Sequence, residues 1–246
     1  MKKEIQNRIV HIALPKGKEK KHKHFSGYIL GDGIIITCRH GFADQDAYDQ
    51  QRPIQIISQE NKYTIDFNSF DIKGLLDEGI ILFESATYDI VLLRCEQASA
   101  KFEGLLTNKL EESGKWTGGG YPYYSRANSD TDGLELFSGE FEIVVSAGNY
   151  LQLYVNTKLP CMNDWHEISG SPVFIREKLA GIICRYFEYD SKGKKVIIPH
   201  RLTAVYLQRL WEADKQFQTL LNKIDSSFDK SAKILQQAES LLKSLL

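Results

Sequence analysis

Up to about position 200 the chain carries its apolar residues in short runs rich in Ile, Val, Tyr and Phe, each closed off by Gly, Asp, Asn or Ser. β-Branched and aromatic side chains suit the pleated surface of a sheet and the punctuating residues suit turns, so the pattern reads as strands and hairpins. The expected strands are 6 to 14, 26 to 31, 34 to 38, 53 to 58, 62 to 66, 70 to 75 and 89 to 95. A second set comprises 115 to 119, 133 to 144, 150 to 155, 172 to 176, 179 to 186 and 195 to 198. Gly31-Asp32-Gly33 lies between two apolar runs, a hairpin signal because tight hairpin turns demand positive φ. No helical period separates the runs, so antiparallel barrels or sandwiches are expected and a parallel sheet is not.

From Leu202 onward the spacing changes. Leu207, Leu210, Trp211, Phe217, Leu220, Leu221, Ile224, Phe228, Ile234, Leu235, Leu241, Leu242 and Leu245 recur at helical intervals. Asp225-Ser226-Ser227 favours a cap over a helix interior, so two helices meeting there are expected. The apolar stripe needs a partner surface, either the chain's own barrels or another subunit.

The composition supports a packed core: 42% of the 246 residues are hydrophobic, and Lys+Arg 31 against Asp+Glu 32 leaves a net charge of -1. That near-neutrality gives no support to a broad nucleic-acid-binding surface. Ile34-Ile35-Ile36 and Ile90-Val91-Leu92-Leu93 fall far short of the ~20 residues that cross a bilayer, so no membrane span is expected. Lys2 and Lys3 are followed by Glu4, Gln6, Asn7 and Arg8 where an export signal would be apolar. Cys38, Cys95, Cys161 and Cys184 are unevenly spaced without a CxxC pair, which favours reduced thiols and a cytoplasmic location. The basic run from Lys16 to His24 reads as a solvated, flexible loop; His22 and His24 within it lack a neighbouring carboxylate or Cys, and neither metal nor cofactor is expected.

Three segments put a reactive side chain beside small residues at the end of an apolar strand. They are Ile34 to Gly41, delivering His40 to a turn; Tyr88 to Leu93, where Asp89 precedes a strand apolar enough to be buried on both faces; and Glu167 to Val173, with Ser169 in a Gly/Ser/Pro turn. Nucleophilic acyl transfer needs a hydroxyl, a base within hydrogen-bond reach, and an acid that fixes the base's tautomer. His, Asp and Ser occur here in that chain order on an all-β pattern.

On these residues the chain resembles the trypsin-like (chymotrypsin-fold) serine peptidases of bacterial type, over about residues 6 to 208. Ser26-Gly27-Tyr28-Ile29-Leu30 with Gly31-Asp32-Gly33 resembles the strand and hairpin ahead of the family's histidine, and Thr37-Cys38-Arg39-His40 its Thr-x-x-His. Asp89-Ile90-Val91-Leu92-Leu93 is similar to the Asp-[IV]-A-[LV]-L motif, and Gly120-Tyr121-Pro122 to the Gly-Tyr-Pro that begins the second barrel. Ser169-Gly170-Ser171-Pro172-Val173 resembles the nucleophile loop, Leu179 to Ile182 the strand after it, and Val196 to Pro199 the closing strand.

The resemblance implies two six-stranded antiparallel β-barrels with the catalytic site in the cleft between them, to which the helical spacing adds a C-terminal α-helical extension. Barrel one would span about 6 to 100 and barrel two about 113 to 200, with the helical tail over 201 to 246. His40 would act as general base and acid, Asp89 as its orienting carboxylate and Ser169 as nucleophile. The oxyanion hole would be the backbone N–H groups of Ser169 and Glu167.

Glu167 departs from the family, which has Gly there because the N–H must turn into the hole with a φ that side chains disfavour. Either Glu167 holds the peptide flipped, leaving an inactive resting state, or the loop reaches the same N–H direction by another path. By position, Asn163 would sit near the base of the primary pocket and Cys184, Arg185 and Tyr186 would form one wall, with Asp164 and Glu167 as candidate attractors of a basic side chain.

The functional expectation is an intracellular serine endopeptidase acting on a protein or peptide substrate. A partner or trigger would regulate it, and its tail would dock a partner subunit. By analogy of fold alone, such a domain resembles the effector peptidases of bacterial defence systems. The alternative is a catalytically silent binding module within a larger complex.

Overall fold

The computed structural model describes residues 1–16, 21–43, 53–69, 71–106, 110–122, 133–143, 150–156, 167–191 and 194–224. Among these described residues seven strands form the first sheet: β1 (Ile9–Lys16), β2 (Lys21–Gly31), β3 (Ile34–Cys38), β4 (Ile54–Ile57), β5 (Lys62–Ile65), β6 (Ile81–Ser85) and β7 (Ile90–Arg94). Their order is β5-β4-β1-β2-β3-β7-β6, every neighbouring pair antiparallel. The remaining six close into a barrel, β10-β13-β12-β11-β8-β9. These are β8 (Ser113–Gly120), β9 (Glu135–Ile143), β10 (Tyr150–Val155), β11 (Pro172–Ile175), β12 (Lys178–Ser191) and β13 (Lys194–Tyr206).

The expected all-β, antiparallel architecture is therefore present, with one closed barrel of six strands and a seven-stranded sheet where a second six-stranded barrel was expected. Three expectations are corrected. Residues 70 to 75 were expected as a strand, but 72–77 form a helix, α3 (Ile72–Asp77); Asp71 caps it, its carboxylate accepting from the Gly74 N–H at 2.7 Å. The sheet-to-helix change falls after Tyr206, not at 200, because Leu202 to Val205 continue β13 opposite β10 and Tyr206 pairs with Gly181 of β12. The basic run is not a free loop at its ends: Lys16 pairs with Lys21, and 22–24 continue β2 opposite β1. Short helices α1 (Lys3–Gln6) and α2 (His40–Ala43) complete the first half.

Asp32 (φ 47°) and Gly33 (φ 73°) make the two-residue turn between β2 and β3, as the Gly-Asp-Gly signal implied. Side-chain alternation then divides the described residues among three cores. Ile29, Ile35, Val91 and Leu93 face the interior of the first sheet. Leu30, Ile36, Ile90 and Leu92, one residue out of phase, face a second cluster shared with Phe174, Leu179, Ile182 and Val205 of the barrel. This two-sided burial explains why β7 reads as an unbroken apolar run, all four residues Ile90 to Leu93 being fully buried. The third cluster, around Trp116, Phe141, Leu153 and Ile183, fills the barrel.

After β13, helix α4 (Leu207–Ala213) and a second helix, α5, over 215–224 lie on the shared cluster. Asp214 separates them: its carboxylate accepts from the N–H groups of Gln216 and Phe217 at 2.9 and 3.0 Å. Leu207, Leu210, Phe217, Leu221 and Ile224 are buried there, with Phe217 against the Phe83 ring at 5.3 Å. The first part of the apolar stripe is thus covered by the chain's own sheets. The break expected at Asp225-Ser226-Ser227 lies outside the described residues. No helix among the described residues is long and apolar enough to cross a membrane.

Candidate active site

The β3–β7 register sets Cys38 opposite Ile90, which brings the residues just beyond each strand end together. The Arg39 N–H donates to the Asp89 carbonyl at 2.9 Å, closing the ladder by one further bond. Asp89 takes φ 54°, a left-handed turn that Asp tolerates better than most residues. Its carboxylate is thereby aimed at His40. One oxygen accepts from the His40 main-chain N–H at 2.8 Å and the other from Nδ1 at 2.6 Å. With Nδ1 carrying that proton, the neutral ring presents a lone pair at Nε2.

His40 Nε2 lies 3.7 Å from Cys38 Sγ, and the imidazole remains 45% exposed. Partial burial works against the charged ring, but hydrogen bonds to the Asp89 carboxylate and the Cys38 sulfur outweigh it, so the His40 pKa is raised to about 10. Arg39, beside it, pairs with Glu84. Lys23 of β2 donates from Nζ to the His40 carbonyl at 3.0 Å, which places part of the basic hairpin next to the histidine.

Ser169 sits half-buried in the turn ahead of β11. The turn is held from the barrel side by the Gly170 N–H on the Ile183 carbonyl at 2.7 Å and the Ile183 N–H on the Ser171 carbonyl at 2.8 Å. From the first sheet, the Ser26 N–H donates to the Ser169 carbonyl at 2.8 Å. Ser169 Oγ donates to the Cys184 carbonyl at 3.4 Å. Cys184 is buried, its Sγ on the Thr203 carbonyl at 3.3 Å; burial first, and then the nearby Asp89 charge, push its thiol up to about 12. Ser169, Cys184, Asp89 and His40 therefore share one region at the junction of the sheet and the barrel. Among the described residues, the hydrogen bonds recorded for the Ser169 hydroxyl and for His40 Nε2 are to Cys184 and Cys38, not to each other.

Glu167 adopts φ 79°. A side-chain-bearing residue thus occupies the left-handed region that glycine takes without cost, and its carbonyl accepts from Ser26 Oγ at 3.2 Å.

Of the pocket residues, Arg185 is exposed with its guanidinium over the Tyr150 ring, 5.3 Å from the centroid. Tyr186 lies on β12, while Asn163, Asp164 and Cys161 fall outside the described residues. Among the described residues no group of three His, Cys, Asp or Glu side chains could hold a metal ion. His24 is stacked on His11, with Nε2 of His11 at 2.9 Å from Nδ1 of His24.

Ser26, Thr37, Cys38 and Tyr150 also border this region, and no motif in the sequence marks them as doing so. Ser26 and Thr37 were read only as parts of strand motifs, because their contacts lie far away in sequence. The Cys38 thiol, two residues before His40, was the one local signal available.

No protein-family model matches this chain. No curated protein matches it either. Among solved structures it is similar to the active form of the Rv3671c protease of Mycobacterium tuberculosis, over 82% of this chain and 77% of that one, with a TM-score of 0.54 and 8% sequence identity. At that identity the likeness is one of fold, and it supports a trypsin-like architecture for the sheet and barrel described above.

Proposed function

We propose that the chain is a serine endopeptidase that cleaves a protein substrate through an acyl-enzyme, with His40, Asp89 and Ser169 as its catalytic residues. The observation that carries the reading is the two-point grip of Asp89 on His40, at 2.6 and 2.8 Å, beside a serine held in a clamped turn. In the reaction the Ser169 hydroxyl turns from the Cys184 carbonyl to His40 Nε2. Oγ attacks the substrate carbonyl carbon as its proton passes to Nε2, and Asp89 stabilises the imidazolium. The tetrahedral oxyanion is held by the N–H groups of Ser169 and Glu167. Collapse breaks the C–N bond as His40 returns the proton to the leaving amine, and water activated by His40 then hydrolyses the ester.

One observation favours the alternative of a silent binding module: the Ser169 hydroxyl and His40 Nε2 are both engaged elsewhere in this conformation. Labelling by an alkyl fluorophosphonate separates the two. The full chain should be labelled and Ser169→Ala should not; no Ser169-dependent labelling, with candidate partners added, would sink the peptidase reading. The rate should also rise with pH, because only neutral His40 accepts the proton and its pKa is raised to about 10. The same shift works oppositely on stability. The His40–Asp89 contribution is full below the ordinary histidine value of about 6.5 and is lost as pH rises through about 10. A labelling rate already flat above about pH 7 would contradict this.

The regulated, cytoplasmic role belongs to the same proposal, with a partner subunit docking on the tail. Because residues 207–224 are spent on the shared core, docking falls to 225–246, where Ile234, Leu235, Leu241, Leu242 and Leu245 repeat the apolar pattern. Truncation after residue 224 should leave the melting temperature within about 2 °C while abolishing co-purification with the partner. A large loss of stability would instead assign the tail to the chain's own surface. The role as an effector in a bacterial defence system extends the proposal by fold analogy.

A further inference from the structure

We propose that Ser26 is a positioning residue of the oxyanion hole: its hydroxyl holds the Glu167 carbonyl and so keeps a residue with a side chain in the left-handed conformation that glycine would otherwise supply. This rests on the reading of Ser169 as nucleophile.

Ser26 is fully buried on β2, and each of its polar groups has a partner. The N–H donates to the Ser169 carbonyl at 2.8 Å, and the carbonyl accepts from Thr37 Oγ1 at 2.6 Å. Oγ accepts from the Tyr121 N–H at 2.9 Å and donates to the Glu167 carbonyl at 3.2 Å. A hydroxyl has a single proton. With the Tyr121 N–H on an Oγ lone pair and Ser26 buried away from water, that proton is directed to Glu167.

The residue it reaches, 141 positions away, stands at φ 79°. Such a conformation is costly for a residue with a Cβ and persists only where neighbours over-determine it. Fixing the Glu167 carbonyl locks the peptide unit on the C-terminal side of its Cα, so φ cannot relax by rotation of that side of the turn and the Cα that carries the N–H stays in place. The support is rigid, because Ser26 is tied to β3 through Thr37 and to the end of β8 through Tyr121. Oxyanion geometry and the docking of sheet on barrel are thereby coupled through one side chain.

A merely structural Ser26 would act through its main-chain bonds, which Ser26→Ala retains. The test compares the full chain with Ser26→Ala, Glu167→Gly and the double variant, using an alkyl fluorophosphonate. Ser26→Ala should lower the maximal labelling rate about 10- to 100-fold, part of the 10²–10³ lost with a whole oxyanion donor, with the half-saturating probe concentration unchanged. The double variant should recover, because glycine holds φ 79° unaided. An unchanged rate in Ser26→Ala, or a double variant as slow as Ser26→Ala, overturns the inference.

Amide hydrogen exchange provides a readout that needs no activity. Ser26→Ala should speed exchange at Gly170 and Ser171 while leaving Ile90 to Leu93 protected; unchanged exchange at 170 and 171 overturns the clamp. Absence of labelling in the wild-type chain would instead defeat the peptidase reading, and exchange alone then judges the clamp.

Discussion

Ser169→Ala is expected to lower hydrolysis of a fluorogenic peptide by about 10⁶-fold, and adding His40→Ala should cost nothing further. In the proposed reaction the two residues act in one proton transfer, so removing either removes the step. What remains, about 10³–10⁴ over water, comes from the oxyanion donors and binding. Asp89→Asn should cost less, about 10⁴-fold, for a reason visible in its contacts. The carboxylate has two acceptors, one for the His40 main-chain N–H and one for Nδ1. An amide retains one acceptor and turns an NH₂ toward the other position, so the ring is driven to the tautomer that carries its proton on Nε2 and cannot accept from Ser169. Strictly additive losses for Ser169→Ala and His40→Ala would show that they do not work as a unit.

Gly170→Ala is expected to destabilise the fold by about 2–4 kcal/mol, from left-handed strain of 1–3 kcal/mol and about 1 kcal/mol for a lost loop hydrogen bond. Gly170 has φ +90°, and a Cβ there would stand 1.8 Å from the Ser26 carbonyl oxygen and 2.3 Å from Thr37 Oγ1. The turn must lift off β2, parting the Ser26 N–H from the Ser169 carbonyl. For a chain of this size that lowers the melting temperature by roughly 5–15 °C. Gly79→Ala is the control: its φ is +71°, but a Cβ would meet nothing within 4 Å, so it carries strain without collision. Equal losses at the two positions would mean that close approach to Ser26 does not matter. Calorimetry on the two variants decides.

Much of this architecture was legible locally. β3 over 34–38 and β10 over 150–155 stand at their expected bounds, because the β-branched run of β3 and the alternating apolar residues of β10 are each bounded by turn residues in the sequence. The Asp32-Gly33 turn required positive φ at both positions, and its residues announced that. Elsewhere tertiary context decided. Ile72, Leu75 and Leu76 carry an apolar spacing that fits a helix once Asp71 caps it, although the segment had been read as a strand. Leu202 precedes the tail's helical spacing by only five residues, yet pairing of 201–205 with β10 and of Tyr206 with Gly181 keeps the stretch in β13. At the site, adjacency of His40 and Asp89 follows from strand register, which short motifs imply. Contacts such as Ser26 to Glu167 join residues 141 apart through a hydroxyl and a main-chain carbonyl, and no local pattern reports them.

The shared cluster beneath the helices over 207–224 also bears on the order of assembly. His40 and Asp89 belong to the first sheet and Ser169 to the barrel, but the core that joins those halves takes Leu207, Leu210, Phe217, Leu221 and Ile224 from the segment that follows both. Because β13 ends at Tyr206 and the helices follow it at once, the barrel and the joint draw on the same late stretch of sequence, so a polypeptide made from its N-terminus can form the first sheet well before the joint is complete.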